Sequence, residues 1–157
     1  MAAGPVLIGF DGTPAAAQAL REAAALFAPR PAVVVVVWEA GRAFDLLEVP
    51  VLDLPAAGVD VRTAFEVDQA MYEQAQRLAQ QGAALARDLG LEADGLAVAD
   101  EITVADTLLR LAKEYGSQAI VVGSHGHSTL GELLVGSTTR AVLKHAECPV
   151  VVVRGAR

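Results

Sequence analysis

The sequence predicts a three-layer α/β domain in which about five strands of a parallel sheet alternate with four helices. Three observations carry this prediction. Short Val- and Ile-rich runs, such as residues 32–38 and 119–122, lack the polar alternation of a half-exposed strand and suit a sheet covered on both faces. Longer stretches between them repeat apolar residues at three- and four-residue steps, the period of an amphipathic helix. The length of 157 residues suits one domain spanning the whole chain, burying roughly 70% of its unfolded surface around one core.

The elements follow in order. Residues 5–10 form a short apolar run that stops at Asp11-Gly12-Thr13-Pro14, a strand followed by a helix with Thr13 as N-cap and Pro14 in its first turn. That helix is expected over 14–28, with Ala16, Ala19, Leu20, Ala23, Ala24 and Phe27 inward, and Pro29 and Pro31 ending it. Five consecutive valines and Trp38 make the second strand, so the first two strands and their helix form a βαβ unit. Residues 39–65, broken by Gly41, Pro50, Pro55 and Gly58, read as a long loop. Periodicity returns over 67–89 (Met71, Ala75, Leu78, Ala79, Leu85, Ala86, Leu89), interrupted by Gly82 and closed by Gly90. Residues 91–100 give a weak strand. A helix over 104–115 places Leu108, Leu111, Ala112 and Tyr115 on one face, with Thr103 as cap and Gly116 as stop. Strand 119–122, a helix over 138–145 with Ala141, Val142 and Leu143 inward, and strand 150–153 complete the chain.

Composition narrows the function classes. Apolar residues make up 54% of the chain and aromatics 4%, so the core is built from Ala and Val. The run at 32–38 is far short of the ~20 residues that span a membrane. The N-terminus lacks a basic segment leading into an apolar stretch, so a cytoplasmic protein is expected rather than a secreted one. The single Cys148 has no internal disulfide partner, in keeping with a reducing compartment. Twelve basic and nineteen acidic residues give a net charge of −7, which argues against nucleic acid as a partner.

The stretch 122–138 carries the chemistry. A strand stops at Gly123, glycines recur at 126, 131 and 136, and Ser137-Thr138-Thr139 opens the next helix. Glycine lets backbone N–H groups approach a ligand, hydroxyls add donors, and a helix start adds unpaired N–H groups at a positive dipole end. Together they describe an anion pocket, most often for phosphate; plain turn glycines are the competing reading. Gly131 to Ser137 mimics Walker A spacing, but Ser137 holds the place of the lysine that contacts terminal phosphates, which argues against a P-loop NTPase. The Gly-x-Gly-x-x-Gly pattern of dinucleotide folds is missing, as is the Gly-x-Ser-x-Gly elbow of hydrolases.

Other residues carry two readings each. Asp11 sits past the end of the first strand, at the same sheet edge as Gly123, where α/β sheets bind ligands. It either accepts from ribose hydroxyls or holds a phosphate-bound metal ion, or it is simply a turn residue before a Thr-Pro helix start. His125 and His127 lack a third nitrogen or sulfur ligand nearby, short of a tetrahedral zinc set; His125 is expected near the ligand and His127 in solvent. Trp38 reads as core, with its strand-end backbone placed to meet a ligand base. Cys148 reads as a buried small hydrophobe.

The spacing Gly123-x2-Gly126-x9-Gly136-Ser137 resembles the nucleotide-binding signature Gly-x2-Gly-x9-Gly-Ser/Thr of the universal stress protein family. The flanking Val-Val-Gly-Ser-His-Gly and Cys-Pro-Val-Val-Val-Val, and the opening Val-Leu-Ile-Gly-Phe-Asp-Gly-Thr, are similar to that family as well. The resemblance implies a five-stranded parallel sheet of order 3-2-1-4-5 with helices on both faces, Rossmann-like. It also implies ATP, or another adenine nucleotide, accompanied by Mg²⁺. By the same resemblance Asp11 meets the ribose or the metal-linked phosphates, and the Trp38 backbone meets adenine. Val122 and Gly123 line the ribose side, while Gly126, Gly136, Ser137 and Thr138 hold phosphates. Residues 100–104 depart from the family's usual Gly-Asp-Pro-like helix entry. Members commonly dimerise along the last strand, and Val150–Val153 is an apolar edge that a homodimer covers.

The function this points to is a nucleotide-dependent regulatory or sensor module in stress response. Two alternatives remain open on the sequence: a slow ATP hydrolase or nucleotidyl-transfer enzyme on the same fold, for which Arg140 is the nearest cation, and a dimeric scaffold with a vestigial pocket.

Overall fold

A computed structural model describes residues 3–41, 61–100, 102–124 and 135–155. Its elements are β1 (Val6–Gly9), α1 (Pro14–Phe27), β2 (Pro31–Trp38), α2 (Val61–Asp88), β3 (Glu92–Ala99), α3 (Val104–Glu114), β4 (Ala119–Gly123), α4 (Ser137–His145) and β5 (Val150–Val153). The strands form one sheet in the order β3-β2-β1-β4-β5, and every pair is parallel. The expected three-layer α/β class and the 3-2-1-4-5 order are therefore the observed ones.

Alternation along the strands splits the core in two. Val6 and Ile8 of β1, Val34 of β2 and Val121 of β4 face Ala19, Leu20 and Ala23 of α1 and Ala83 and Ala86 of α2. Leu7, Val35, Ile120 and Val122 face the other way, against Leu108, Leu111 and Ala112 of α3 and Val142 of α4. Both faces of each central strand are thus covered, which is why these strands are nearly all Val, Leu and Ile. Helices α1 and α3 start on side-chain caps. Thr13 Oγ1 accepts from the Ala16 N–H at 3.2 Å, and Thr103 Oγ1 accepts from the Asp106 N–H at 3.1 Å.

Small residues let α2 lie close to the sheet. Gly82 does not interrupt the helix: a Cβ there would stand 2.8 Å from Phe10 and 2.9 Å from Val34, so glycine serves close contact rather than a break. Opposite it in β3, a Cβ on Gly95 would come within 2.5 Å of the Ala79 carbonyl oxygen. An alanine-rich helix buries little area per residue, so its contribution depends on this short separation.

Several expectations need correction. Helix α2 begins at Val61 rather than 67, so residues 61–65 are helical, and residues 42–60 of the expected loop lie outside the described residues. The weak strand is a full eight residues, in register with β2 along its whole length. Tyr115 and Leu143, assigned inward, are 43% and 49% exposed: Tyr115 is the C-cap, beyond the last turn of its helix, and Leu143 lies to the side of the stripe of Thr139 and Val142. Phe27 and Leu85 are half-buried against the core, and Leu89 is exposed. Cys148 is only partly buried, packed at the α3–α4 face, and burial raises its thiol pKa, with Glu147 adding to the effect. Among the described residues no helix is long and apolar enough to cross a membrane.

The closeness of α2 to the sheet makes Gly95→Ala informative. It should lower the unfolding free energy by about 1–3 kcal/mol in urea titration, since the obstructing atom is backbone. A loss below about 0.5 kcal/mol would show that helix and strand separate freely.

Candidate functional site

Strand β1 lies between β2 and β4, so the chain winds outward in opposite directions from it, and the carboxyl ends of these strands open a crevice. A cavity of about 550 Å³ occupies it, within the ~300–1,000 Å³ of small-molecule sites. Gly9, Val35, Val37, Val122, Val104 and Leu108 give it an apolar lining. Toward β2 it is bounded by Trp38, Glu39 and Met71, near β1 by Phe10 and Asp11, and toward β4 by Gly123 and the start of α4.

The start of α4 is the polar wall. Gly136 is its N-cap, no side chain caps it, and its first turn carries no acidic residue, while Lys144 and His145 lie in the last turn. The first N–H groups of a helix have no intrahelical acceptor, so this end offers donors and a positive dipole pole to the cavity. Backbone bonds fix the helix start in place. The Gly136 N–H donates to the Ser124 carbonyl at 2.9 Å, and the Ser124 N–H donates to the Val153 carbonyl at 2.8 Å. Thr139 Oγ1, almost fully buried, donates to the Gly123 carbonyl at 2.8 Å. The helix start, the end of β4 and the end of β5 are therefore one clasped unit. Gly136 has an ordinary negative φ of −58°, and among the described residues a Cβ there would meet only the Ser124 carbonyl oxygen at 3.6 Å. Among the described residues nothing stands in the way of a side chain at this position.

Asp11 forms the turn that one of its two readings expected. Its Oδ1 accepts from the Thr13 N–H at 3.0 Å and from Thr13 Oγ1 at 2.6 Å, a turn closed through Gly12 at φ +79°. The same residue lines the cavity, placing a carboxylate beside the apolar strand ends.

At the β2 side, the Trp38 carbonyl accepts from the Asp100 N–H at 2.9 Å. Its ring stands 5.6 Å from that of Tyr72 with planes tilted by 49°. The indole Nε1 is shielded and has no hydrogen-bond partner among the described residues.

The structure thus brings Asp11, Trp38, Val122, Gly123, Gly136, Ser137 and Thr138 to one cavity; His125 and Gly126 lie outside the described residues. Reading the sequence missed Val37, Glu39, Met71, Leu108 and Thr139. Thr139 was detectable in principle, since it precedes the buried Val142 by three residues on the same stripe. Arg140 extends its guanidinium to the Val135 carbonyl at 3.4 Å and is not part of the lining. Among the described residues no three His, Cys, Asp or Glu side chains gather as a metal site.

Comparison with known proteins sets this geometry in context. A universal stress protein of Mycolicibacterium smegmatis is 37% identical over 109 residues, 68% of this chain and 35% of that protein. A homologue of universal stress protein A from Coxiella burnetii is 38% identical over 100 residues, 63% of this chain and 60% of the homologue. The chain thus spans between about a third and three-fifths of the length of these curated relatives. Among solved structures, a universal stress protein of Methanocaldococcus jannaschii superposes with a TM-score of 0.76 at 21% identity, covering 100% of this chain and 99% of the other. The Archaeoglobus fulgidus universal stress protein in complex with dAMP gives 0.63 at 19% identity, covering 98% and 99%. Further structures of this fold carry cAMP, at a TM-score of 0.65, or AMP in the Arabidopsis thaliana protein, at 0.62. The fold is common to them, and residues 3–154 match the universal stress protein family as a whole; the chain belongs to that family.

Proposed function

We propose that this protein holds an adenine nucleotide, ATP in the first place, in the cavity between β1 and β4, and works as a nucleotide-dependent regulatory or sensor module in stress response. One observation carries the proposal. The cavity is bounded by a helix start that among the described residues has no side-chain cap, carries no acidic residue in its first turn and is headed by a glycine that no described contact requires. Such a position favours an anion brought close to backbone N–H groups. Solved relatives that hold AMP, dAMP or cAMP support an adenine nucleotide as that anion.

In this reading the N–H groups of residues 137–139 and the hydroxyls of Ser137 and Thr138 take the phosphates, aided by the Gly123 and Gly126 backbone. Asp11 accepts from ribose hydroxyls, Val122 packs against the sugar, and the base lies toward Trp38 on the β2 side. His125 stands near the ligand. Mg²⁺ fits only as a companion of the phosphates: it keeps most of its waters and takes one or two carboxylates, and Asp11 is the carboxylate beside the strand ends. When bound there, the ion would neutralise phosphate charge.

Binding without turnover is the reading we favour over a slow hydrolase or nucleotidyl transferase. Transfer needs a group that orients water and a cation that balances moving charge, and Arg140 does not line the cavity but directs one N–H to the Val135 carbonyl at 3.4 Å. A scaffold with a vestigial pocket would not need the clasp that fixes the α4 start. We also propose a homodimer through β5, whose outer edge has no partner strand in this sheet and whose valines are apolar.

Calorimetric titration should show ATP binding to the wild type. Gly136→Ala should weaken it by about tenfold or more, through lost charge-assisted contacts, while changing stability by less than about 0.5 kcal/mol. No heat at millimolar ATP, or unaltered affinity in the variant, would sink the proposal. Sedimentation equilibrium should return twice the chain mass; a monomer at every concentration would contradict the β5 dimer.

A further inference from the structure

Trp38 is the single tryptophan of the chain. A shielded donor that makes no hydrogen bond is uncommon in a folded protein, and each one calls for a reason. Its indole Nε1 is such a donor among the described residues, yet the residue as a whole is only half-buried and borders the cavity.

The packing around the ring is adaptable. Its aromatic neighbour Tyr72 meets it at a tilt rather than in a stack, and it packs against the apolar cluster of Val36, Ala75 and Ala79. Among the described residues no hydrogen bond of the indole has to break for the ring to turn. Met71, which lines the cavity beside Trp38, is an unbranched side chain that adjusts readily to a moving neighbour.

We infer that Trp38 is the specificity-determining residue at the base end of the cavity, its unpartnered indole N–H turning to donate to a ring nitrogen of the bound adenine. Indole N–H is a donor only, and the ring nitrogens of adenine are acceptors. The bond would satisfy the donor left unpaired in the ligand-free fold, and the ring would keep an aromatic surface against the base. This inference rests on the adenine-nucleotide reading above and deepens it, since that reading placed the base toward Trp38 without giving the indole a role.

The test uses the full chain, with AMP and ATP as probes. Selectively excited tryptophan emission of the wild type should change in proportion to occupancy measured by calorimetry. Trp38→Phe keeps an aromatic ring and removes the donor, and should lose affinity by about five- to tenfold, by the same factor for AMP and ATP. Emission unchanged at saturation, unaltered affinity in the variant, or a loss confined to ATP, which would put Trp38 at the phosphates, each overturns the inference. A wild type that binds neither nucleotide overturns the nucleotide reading itself. Should Trp38→Phe fail to fold, the wild-type emission titration decides alone.

Discussion

The position of β1 between β2 and β4 is the constraint on which the rest depends. Because β1 pairs in parallel with both neighbours, each connection must cross a face of the sheet, and the crossings diverge from β1. That divergence leaves the strand ends uncovered and brings together residues far apart in sequence: Asp11 after β1, Trp38 at the end of β2, Gly123 at the end of β4 and Gly136 beyond it. Each is a local feature of modest meaning. Their chemistry as a set exists only because of the strand order.

A second constraint is closeness. Helix α2 contributes mostly Ala and Gly to its buried face, and Gly82 and Gly95 remove the atoms that would hold it off. This brings Tyr72 up against Trp38 and Met71 of the same helix to the cavity. The opposite side of the cavity is rigid for a different reason. There the Gly136–Ser124–Val153 bonds and the Thr139–Gly123 bond tie a helix start to two strand ends. A preorganised polar wall then faces an apolar, adjustable one, which suits a ligand with a charged end and a flat aromatic end.

What could be read from the sequence follows from how each signal arises. Strands β1, β2, β4 and β5 are legible as apolar runs. Strand β3 is blurred because it is an edge strand that carries Glu92, Asp94 and Gly95. The first turns of α2 escape detection because Ala64 is the one buried residue between Val61 and Val67, while Phe65 is 63% exposed. The periodic signal starts only where the helix meets the sheet. In the candidate site the glycines, hydroxyls and Asp11 stand out because their residue types are unusual at strand ends. Val37, Met71 and Leu108 do not, since an apolar residue beside a cavity has the same pattern as one in the core. Gly82 was misleading for the converse reason: a glycine demanded by packing looks like one that ends a helix.

The central claim is that the clasped α4 start and the strand ends around it were shaped to hold an adenine nucleotide. Mass spectrometry of the small molecules released when the purified protein is denatured tests this most directly. An adenine nucleotide in near-equimolar amount, carried from the cell or taken up on incubation with ATP, is the expected result. Release of a ligand without adenine, or of nothing after incubation with ATP, would contradict the account.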